Sequence, residues 1–243
     1  LSDDAIRKAV PEFMKSSGEF KAEKARALLK GRIFDDGNIV IYPFKPFDIR
    51  LAYLSADIAP LFSRPSPALL QQRFDGNRFF ITRDTADKDP EGPPFFFSPV
   101  VCDYDCISGH ARHFPLRVKG CGGKTNENVL PGLERAEEKI TANLSPAARA
   151  YLATLGLPDP EADRETTELI WYHALAIGYS PAYLDENADG IRQDWPRMPL
   201  PKSKDILIAS AVLGRQVAAL LDTETPVPGV TAGKIQNELK PIG

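Results

Sequence analysis

Apolar positions along the chain follow two different rhythms, and the change between them divides the sequence. Residues 2–16 and 19–30 are charged throughout, with scattered apolar positions, and predict two short helices. The second closes at Gly31, just past a Lys-rich last turn. Runs rich in branched and aromatic residues follow and predict strands: Asn38-Ile-Val-Ile-Tyr42, Asp48-Ile-Arg-Leu-Ala-Tyr-Leu54, Asn77-Arg-Phe-Phe-Ile-Thr-Arg83, Pro94-Phe-Phe-Phe-Ser-Pro-Val-Val101 and His113-Phe-Pro-Leu-Arg-Val118. Ser66-Pro67 reads as a cap and first turn, so one helix interrupts the strands.

Beyond a glycine-rich polar loop at 120–128 the rhythm becomes helical. Ser145-Pro146, Glu161 and Ser180-Pro181 open three helices. Ser203 caps a longer one whose Ile206, Ala209, Val212, Leu213, Val217, Leu220 and Leu221 fall near helical spacing. The class this predicts is α+β, a strand-rich half followed by a helical half. The expected organisation is a helical arm or connector remnant at 1–30, a strand-rich recognition region at 31–130, a helical region packed on it at 131–222, and a loosely held Pro/Gly-punctuated tail at 223–243.

Composition excludes several classes. No apolar run approaches the roughly 18–20 residues that cross a bilayer, and the N-terminus lacks the basic start and apolar stretch of a signal peptide. Three cysteines make no disulfide framework, so a reducing, cytoplasmic setting is expected. The missing initiator Met reads as a fragment of something longer. The net charge of −3 gives nucleic-acid binding no support by itself, but its distribution is uneven. Asn38 to Arg83 and Ile107 to Asn128 each carry a local +3, while Asp84 to Cys106 carries −5 and Val129 to Leu200 carries six Lys/Arg against twelve Asp/Glu. Any basic face must therefore be made by folding.

Chemistry-bearing motifs are sparse. There is no Walker loop, GxSxG elbow or HExxH helix, and no Asn/Asp-Pro-Pro-Tyr segment to hold a target amine. Gly92-Pro-Pro-Phe95 lacks the amide or acid such a segment needs and reads as the turn leading into a strand. Cys102, Cys106, His110, His113 and Cys121 supply zinc-type ligands, but their spacing departs from the C-x2-C pairs of zinc modules. The expectation is that Cys102 lies on or beside a strand, with His110 and His113 flanking a loop and no metal held. Gly122-Gly123-Lys124-Thr125 lacks the earlier glycine of a nucleotide loop; it suits a solvated loop or one that approaches a phosphate backbone. Trp171, Tyr172 and His173 read as core aromatics.

Four separated phrases carry a family resemblance. Tyr42-Pro-Phe-Lys-Pro-Phe-Asp-Ile-Arg50 with Tyr53 resembles a Y-x-P-F-D-x-R-x-x-Y phrase with one extra residue. Asn77 through Arg83 resembles an N-x-x-hydrophobic-x-x-x-R strand. Phe95-Phe-Phe-Ser98, Asp103, Gly109 and Phe114-Pro-Leu116 resemble F-x-S…D…G…F-P-L. Tyr172, Tyr179-Ser-Pro-Ala-Tyr183, Trp195-Pro-Arg-Met-Pro-Leu-Pro201, Leu213-Gly214 and Leu220 complete the order, with Met198 where Ile is usual. Together, from about Asn38 to Asp222, they are similar to the C-terminal specificity domain of Type ISP restriction–modification enzymes.

The resemblance implies a module that reads double-stranded DNA. It implies no catalytic centre and no cofactor in this fragment. An upstream adenine-N6 methyltransferase using S-adenosylmethionine, with helicase and nuclease domains in some parents, would belong to the same polypeptide. Base reading needs Arg, Lys, Asn and Gln side chains at base edges, with phosphate contacts setting register. The candidates are Lys45, Arg50, Arg64, Arg73, Arg78, Arg83 and Arg112, with Lys124, Thr125 and Asn126 in the loop and Gln71 and Gln72 beside them. Asp48 and Arg50, two apart on a strand, can equally pair with each other. Arg197, among prolines, can dock a connector onto the helical half. Arg78 and Arg83 differ by an odd number of positions and cannot share a face of a regular strand, so one is expected to point to the DNA while the other braces the scaffold or lies in the following loop. The competing readings are a protein-interaction domain whose helical half docks another subunit and a small metal-dependent enzyme.

Overall fold

The computed structural model describes residues 2–18, 20–55, 58, 66–86, 92–120, 139–222 and 225–230. Arg64, Cys121, Lys124, Thr125 and Asn126, most of the 120–128 loop and most of the 223–243 tail lie outside them. The architecture is α+β, with the strands concentrated in the first half and the long helices in the second.

The arm holds α1 (Asp3–Ala9) and α2 (Ala22–Leu29). The helix expected over 2–16 stops at Ala9, because Pro11 has no N–H to donate and its ring would crowd the preceding turn. A 3-10 turn at Pro11–Met14 replaces the rest. Arg7–Glu23 and Arg26–Asp3 ion pairs tie α1 to α2, and Gly31 takes the positive φ of 83° expected beyond a helix end.

Strands β1 (Ile39–Lys45) and β2 (Asp48–Tyr53) form an antiparallel hairpin with Lys45 opposite Asp48. Pro46 followed by Phe47 at φ 66° is the arrangement of a type II turn, with Phe47 exposed at the tip. Helix α3 (Pro67–Leu70) is a single turn. Ser66 precedes it but its hydroxyl caps nothing, contrary to expectation.

The core is a three-stranded antiparallel sheet ordered β4 (Phe95–Ser98), β3 (Phe79–Thr82), β5 (Arg112–Pro115). Every residue of β3 and β4 is buried, so both faces of the central sheet are covered. The run 113–118, expected as one strand, is divided at Leu116. Its N–H donates to Arg78 O, and beyond it β6 (Arg117–Lys119) pairs instead with β7 (Ile140–Ala142). Strand β7 lies where only helix was expected; three residues among polar neighbours carry too little period to announce it.

The helical half comprises α4 (Pro146–Thr154), α5 (Arg164–Gly178), α6 (Pro181–Glu186), α7 (Ala188–Gln193) and α8 (Lys204–Leu221). Asp163, not Glu161, caps α5, accepting from the amides of Glu165 and Thr166. Glu161 instead accepts from Ala142 N and from Arg149, locking β7 to α4. Helices α5 and α8 pack on each other and on β4, so both halves share one core that includes Phe79, Phe95, Phe97, Leu175 and Leu221.

Two glycines permit this closeness. A Cβ at Gly214 would lie 2.5 Å from the carbonyl carbon of Tyr172, and one at Gly178 would lie 2.5 Å from Cε2 of Phe95. Helix α8 buries Leu207, Ala211, Gly214, Ala218 and Leu221. Of the apolar stripe read from the sequence, Ile206, Val212, Leu213 and Leu220 face outward instead. The small residues face α5 because backbone proximity there leaves no room for large ones. Among the described residues no helix is long and apolar enough to cross a membrane.

Candidate nucleic-acid interface

The described candidates separate into buried braces, paired surface residues and a group gathered round one turn. Arg83 is 2% exposed, and its Nη2 donates to Gly92 O at 2.8 Å. It holds the segment that leads into β4 and does not reach the surface, which corrects its place among the readers. Gln72 is likewise buried, with its amide bonded to both the carbonyl and the N–H of Lys119. Arg73 is half-buried and donates to Leu54 O at 2.8 Å; desolvation lowers its pKa.

The hairpin carries Lys45 and Arg50. The Arg50 guanidinium grips both carboxylate oxygens of Asp48, at 3.2 and 2.9 Å, and lies 3.8 Å from the centroid of the Phe44 ring. That pairing holds the Asp48 carboxyl below its usual pKa. Lys45 donates to the backbone oxygen of Asp105, and the Tyr42 hydroxyl donates to Asp103 at 3.0 Å. Burial, then the neighbouring Asp103 charge, pushes the Tyr42 phenol up. The two cations therefore sit among Asp48, Asp103 and Asp105, a poor anchor for a polyanion. Arg112, on β5, pairs with Asp84 at 3.2 Å. Arg197 points its guanidinium to solvent beside Asp194, and it is the Arg197 carbonyl that docks, accepting from Tyr183 at 3.1 Å.

Among the described Cys/His residues, Cys102 and Cys106 lie side by side with His113 against the Cys102 backbone, and His110 stands apart. His113 Nε2 accepts from the Cys102 amide at 3.2 Å, which turns that nitrogen away from any metal, and burial lowers its pKa to about 4. His110 stacks on Tyr104 and bonds Asp105, facing solvent. Burial raises the Cys102 thiol. Among the described residues no group of three or more His, Cys, Asp or Glu is placed to hold a metal ion. His173 is satisfied at both nitrogens, by Ser210 Oγ and Pro199 O, and Trp171 packs on Phe80, both as core residues.

A different set of cations surrounds the turn at 72–78. Asn77 donates to Arg117 O and Gln72 O, and its Oδ1 accepts from Arg117 N. With Gln72 on Lys119, these bonds stitch the turn to β6. Arg164 Nη2 reaches Gly76 O at 2.6 Å, and Gly120 N donates to Lys139 O where the β6–β7 connection leaves and returns. The fold thus gathers Arg78, Arg117, Lys119, Lys139 and Arg164, with Asp75 and Glu168 as the nearby acids. Arg78, the one sequence candidate in this group, is half-buried with Nη1 on Asn77 O. The others are hard to pick out in the sequence because they are dispersed over 47 positions, from Arg117 to Arg164; Arg117 and Lys119 lie in a basic stretch whose glycine-rich loop is its more conspicuous part.

Comparison with known proteins defines the class. Residues 4–238 match the sequence model of the Type ISP C-terminal specificity domain, and the chain belongs to that family. Two solved structures share its fold. One is described as a cryoEM structure of a DrdV–DNA complex, at 18% identity and TM-score 0.59, covering 94% of this chain and 20% of that one. The other is a nuclease-deletion mutant of the Type ISP restriction–modification enzyme LlaGI in complex with a DNA substrate mimic. It stands at 17% identity and TM-score 0.54, covering 85% of this chain and 16% of that one. The chain thus spans a fifth or less of those proteins' length. No curated protein sequence matches it.

Proposed function

We propose that this chain is the double-stranded-DNA target-recognition module of a restriction–modification enzyme. It contributes no catalytic group of its own, and the parent's methyl transfer from S-adenosylmethionine to adenine N6 is carried out upstream. The observation that carries this reading is the family match over nearly the whole chain; the DNA-bound state of both structural relatives supports it.

The basic group round the 72–78 turn is the proposed anchoring surface. Arg117, Lys119 and Lys139 stand at the base of the connection that contains Lys124, Thr125 and Asn126, so phosphate anchoring at the base would set the register of the loop's polar side chains. Arg50, Arg112 and Lys45 are secondary, each already beside a carboxylate or carbonyl. Residues 31–130 and 131–222 act as recognition and supporting regions around a shared core.

The test is fluorescence anisotropy of the chain with a labelled duplex at several salt concentrations. Affinity should fall steeply with salt, and replacing Arg117, Lys119 and Lys139 together by Ala should reduce the log–log slope by about 0.9 per lost phosphate contact. Binding that ignores salt, or a slope untouched by the triple replacement, would overturn the assignment.

A second reading, docking onto another part of the polypeptide, is favoured by one feature. Helix α8 turns Ile206, Val212, Leu213 and Leu220 outward, each at least 45% exposed. The two readings are compatible, since the DNA surface and the α8 apolar face use different residues.

A further inference from the structure

We propose that Arg164 and Arg215, held by Glu168, form a clamp on the helical half that grips one phosphate of the DNA backbone. This rests on the DNA-binding reading above and adds a contact site outside the strand-rich half. Arg164 is the first residue of α5, Glu168 lies one turn further on, and Arg215 stands on the facing side of α8. Arg164 Nε is 2.9 Å from Glu168 Oε1, and Arg215 Nη2 is 4.0 Å from Glu168 Oε2.

The burial order is what separates a clamp from an ordinary ion pair. The Glu168 side chain is 13% exposed, whereas those of Arg164 and Arg215 are 52% and 35% exposed. The carboxylate therefore forms the floor, and two guanidiniums stand above it toward solvent. Glu168 and Asp75 set two negative charges against the three positive charges of Arg78, Arg164 and Arg215, so one positive charge is left over in the cluster.

Each arginine is also fixed from a second side. Arg164 Nη2 donates to Gly76 O at 2.6 Å, and the Arg215 guanidinium carbon lies 5.0 Å from the centroid of the Tyr172 ring. Of five N–H donors on each guanidinium, these contacts use only some, leaving forks for a tetrahedral oxyanion. Arg78 lies close enough to act, with Arg164 and Arg215, on the Tyr172 phenol, while Asp75 beside Arg164 is the opposing charge. Arg164 also braces the 72–78 turn, so the clamp adjoins the anchoring surface through Gly76. A DNA backbone, with its repeating phosphates, suits two such stations better than an isolated anion does.

The test uses the full chain and a fluorescein-labelled duplex, together with a set of duplexes each carrying one uncharged methylphosphonate. Arg215→Ala should weaken binding about tenfold, the worth of one charge-assisted hydrogen-bonded contact, and lower the salt slope by about one. Arg215→Lys should keep the slope and lose only part of the affinity, because Lys retains charge without the fork. For the wild type, one methylphosphonate position should reproduce the loss, and at that position Arg215→Ala should cost nothing further.

A purely structural role for Arg215 would give no such position-specific cancellation. Arg215→Ala and Arg164→Ala variants that fold, bind with the wild-type slope and respond to every methylphosphonate as the wild type does would refute the clamp and leave the DNA reading standing. If Arg215→Ala does not fold, Arg215→Lys against the methylphosphonate set decides the same question. Absence of duplex binding by the wild type at low salt would remove the DNA reading and the clamp with it.

Discussion

Gly214→Ala adds one methyl group at the point where α8 crosses α5. The new Cβ would lie 2.9 Å from Tyr172 Cα, 2.5 Å from its carbonyl carbon and nearer still to its oxygen. All three are backbone atoms in the interior of α5, so no side chain can swing aside, and the helices must part by on the order of 1 Å in a core that is close-packed. Overpacking of this kind costs about 1–3 kcal/mol, toward the upper end where backbone must move. Alanine returns about 1 kcal/mol of helix propensity, leaving a net loss of about 2 kcal/mol. For a chain of this size that is a fall of roughly 4–8 °C in Tm. Gly190→Ala is the internal control, since a Cβ there meets nothing within 4 Å inside α7. It should gain about 0.5–1 kcal/mol. Differential scanning fluorimetry and urea unfolding of both variants provide the assay. A Gly214→Ala variant as stable as the wild type, or two glycine variants that shift the same way, would refute the account of α5–α8 packing.

Three further outcomes follow from the same structure. Leu207→Ala, at a fully buried position, should cost about 2–5 kcal/mol, whereas Leu213→Ala, 57% exposed, should stay within about 0.5 kcal/mol; urea midpoints compare them, and equal losses would contradict the orientation of α8. Arg83→Ala should destabilise by about 2–3 kcal/mol by leaving buried polar groups without their partner, while Arg78→Ala should change stability little; calorimetry separates them, and a neutral Arg83→Ala would return it to the surface. His113 is neutral in the fold, with its pKa lowered to about 4 by burial, while the unfolded chain protonates near 6.5. Its contribution is therefore complete above pH about 6.5 and is lost as pH falls toward 4, by up to about 3 kcal/mol. His113→Gln should flatten that part of the stability–pH curve, and an unchanged acid limb would show that other groups set it.

The amino-acid sequence by itself determined the class and the broad order of this protein. The β-branched and aromatic runs around Phe79–Thr82 and Phe95–Ser98 became the central sheet, and Ser145, Ser203 and Gly31 marked helix ends where local capping chemistry acts. The family phrases pointed to the specificity domain that the match to residues 4–238 establishes.

What lay beyond the sequence was everything set by partners distant along the chain. Spacing along α8 locates an apolar stripe but not the face that meets α5; Gly214 against Tyr172 decided that, because close backbone approach selects small residues. The worth of each arginine was equally hidden. Arg83 and Arg78 look alike in sequence, yet one is closed in by Gly92 and the other stays near the surface. The pairing of Arg164 with Gly76 and of Arg215 with Glu168 joins residues 88 and 47 positions apart. Charge is additive along a sequence, but electrostatic potential depends on distance in space, and only the tertiary structure supplies those distances.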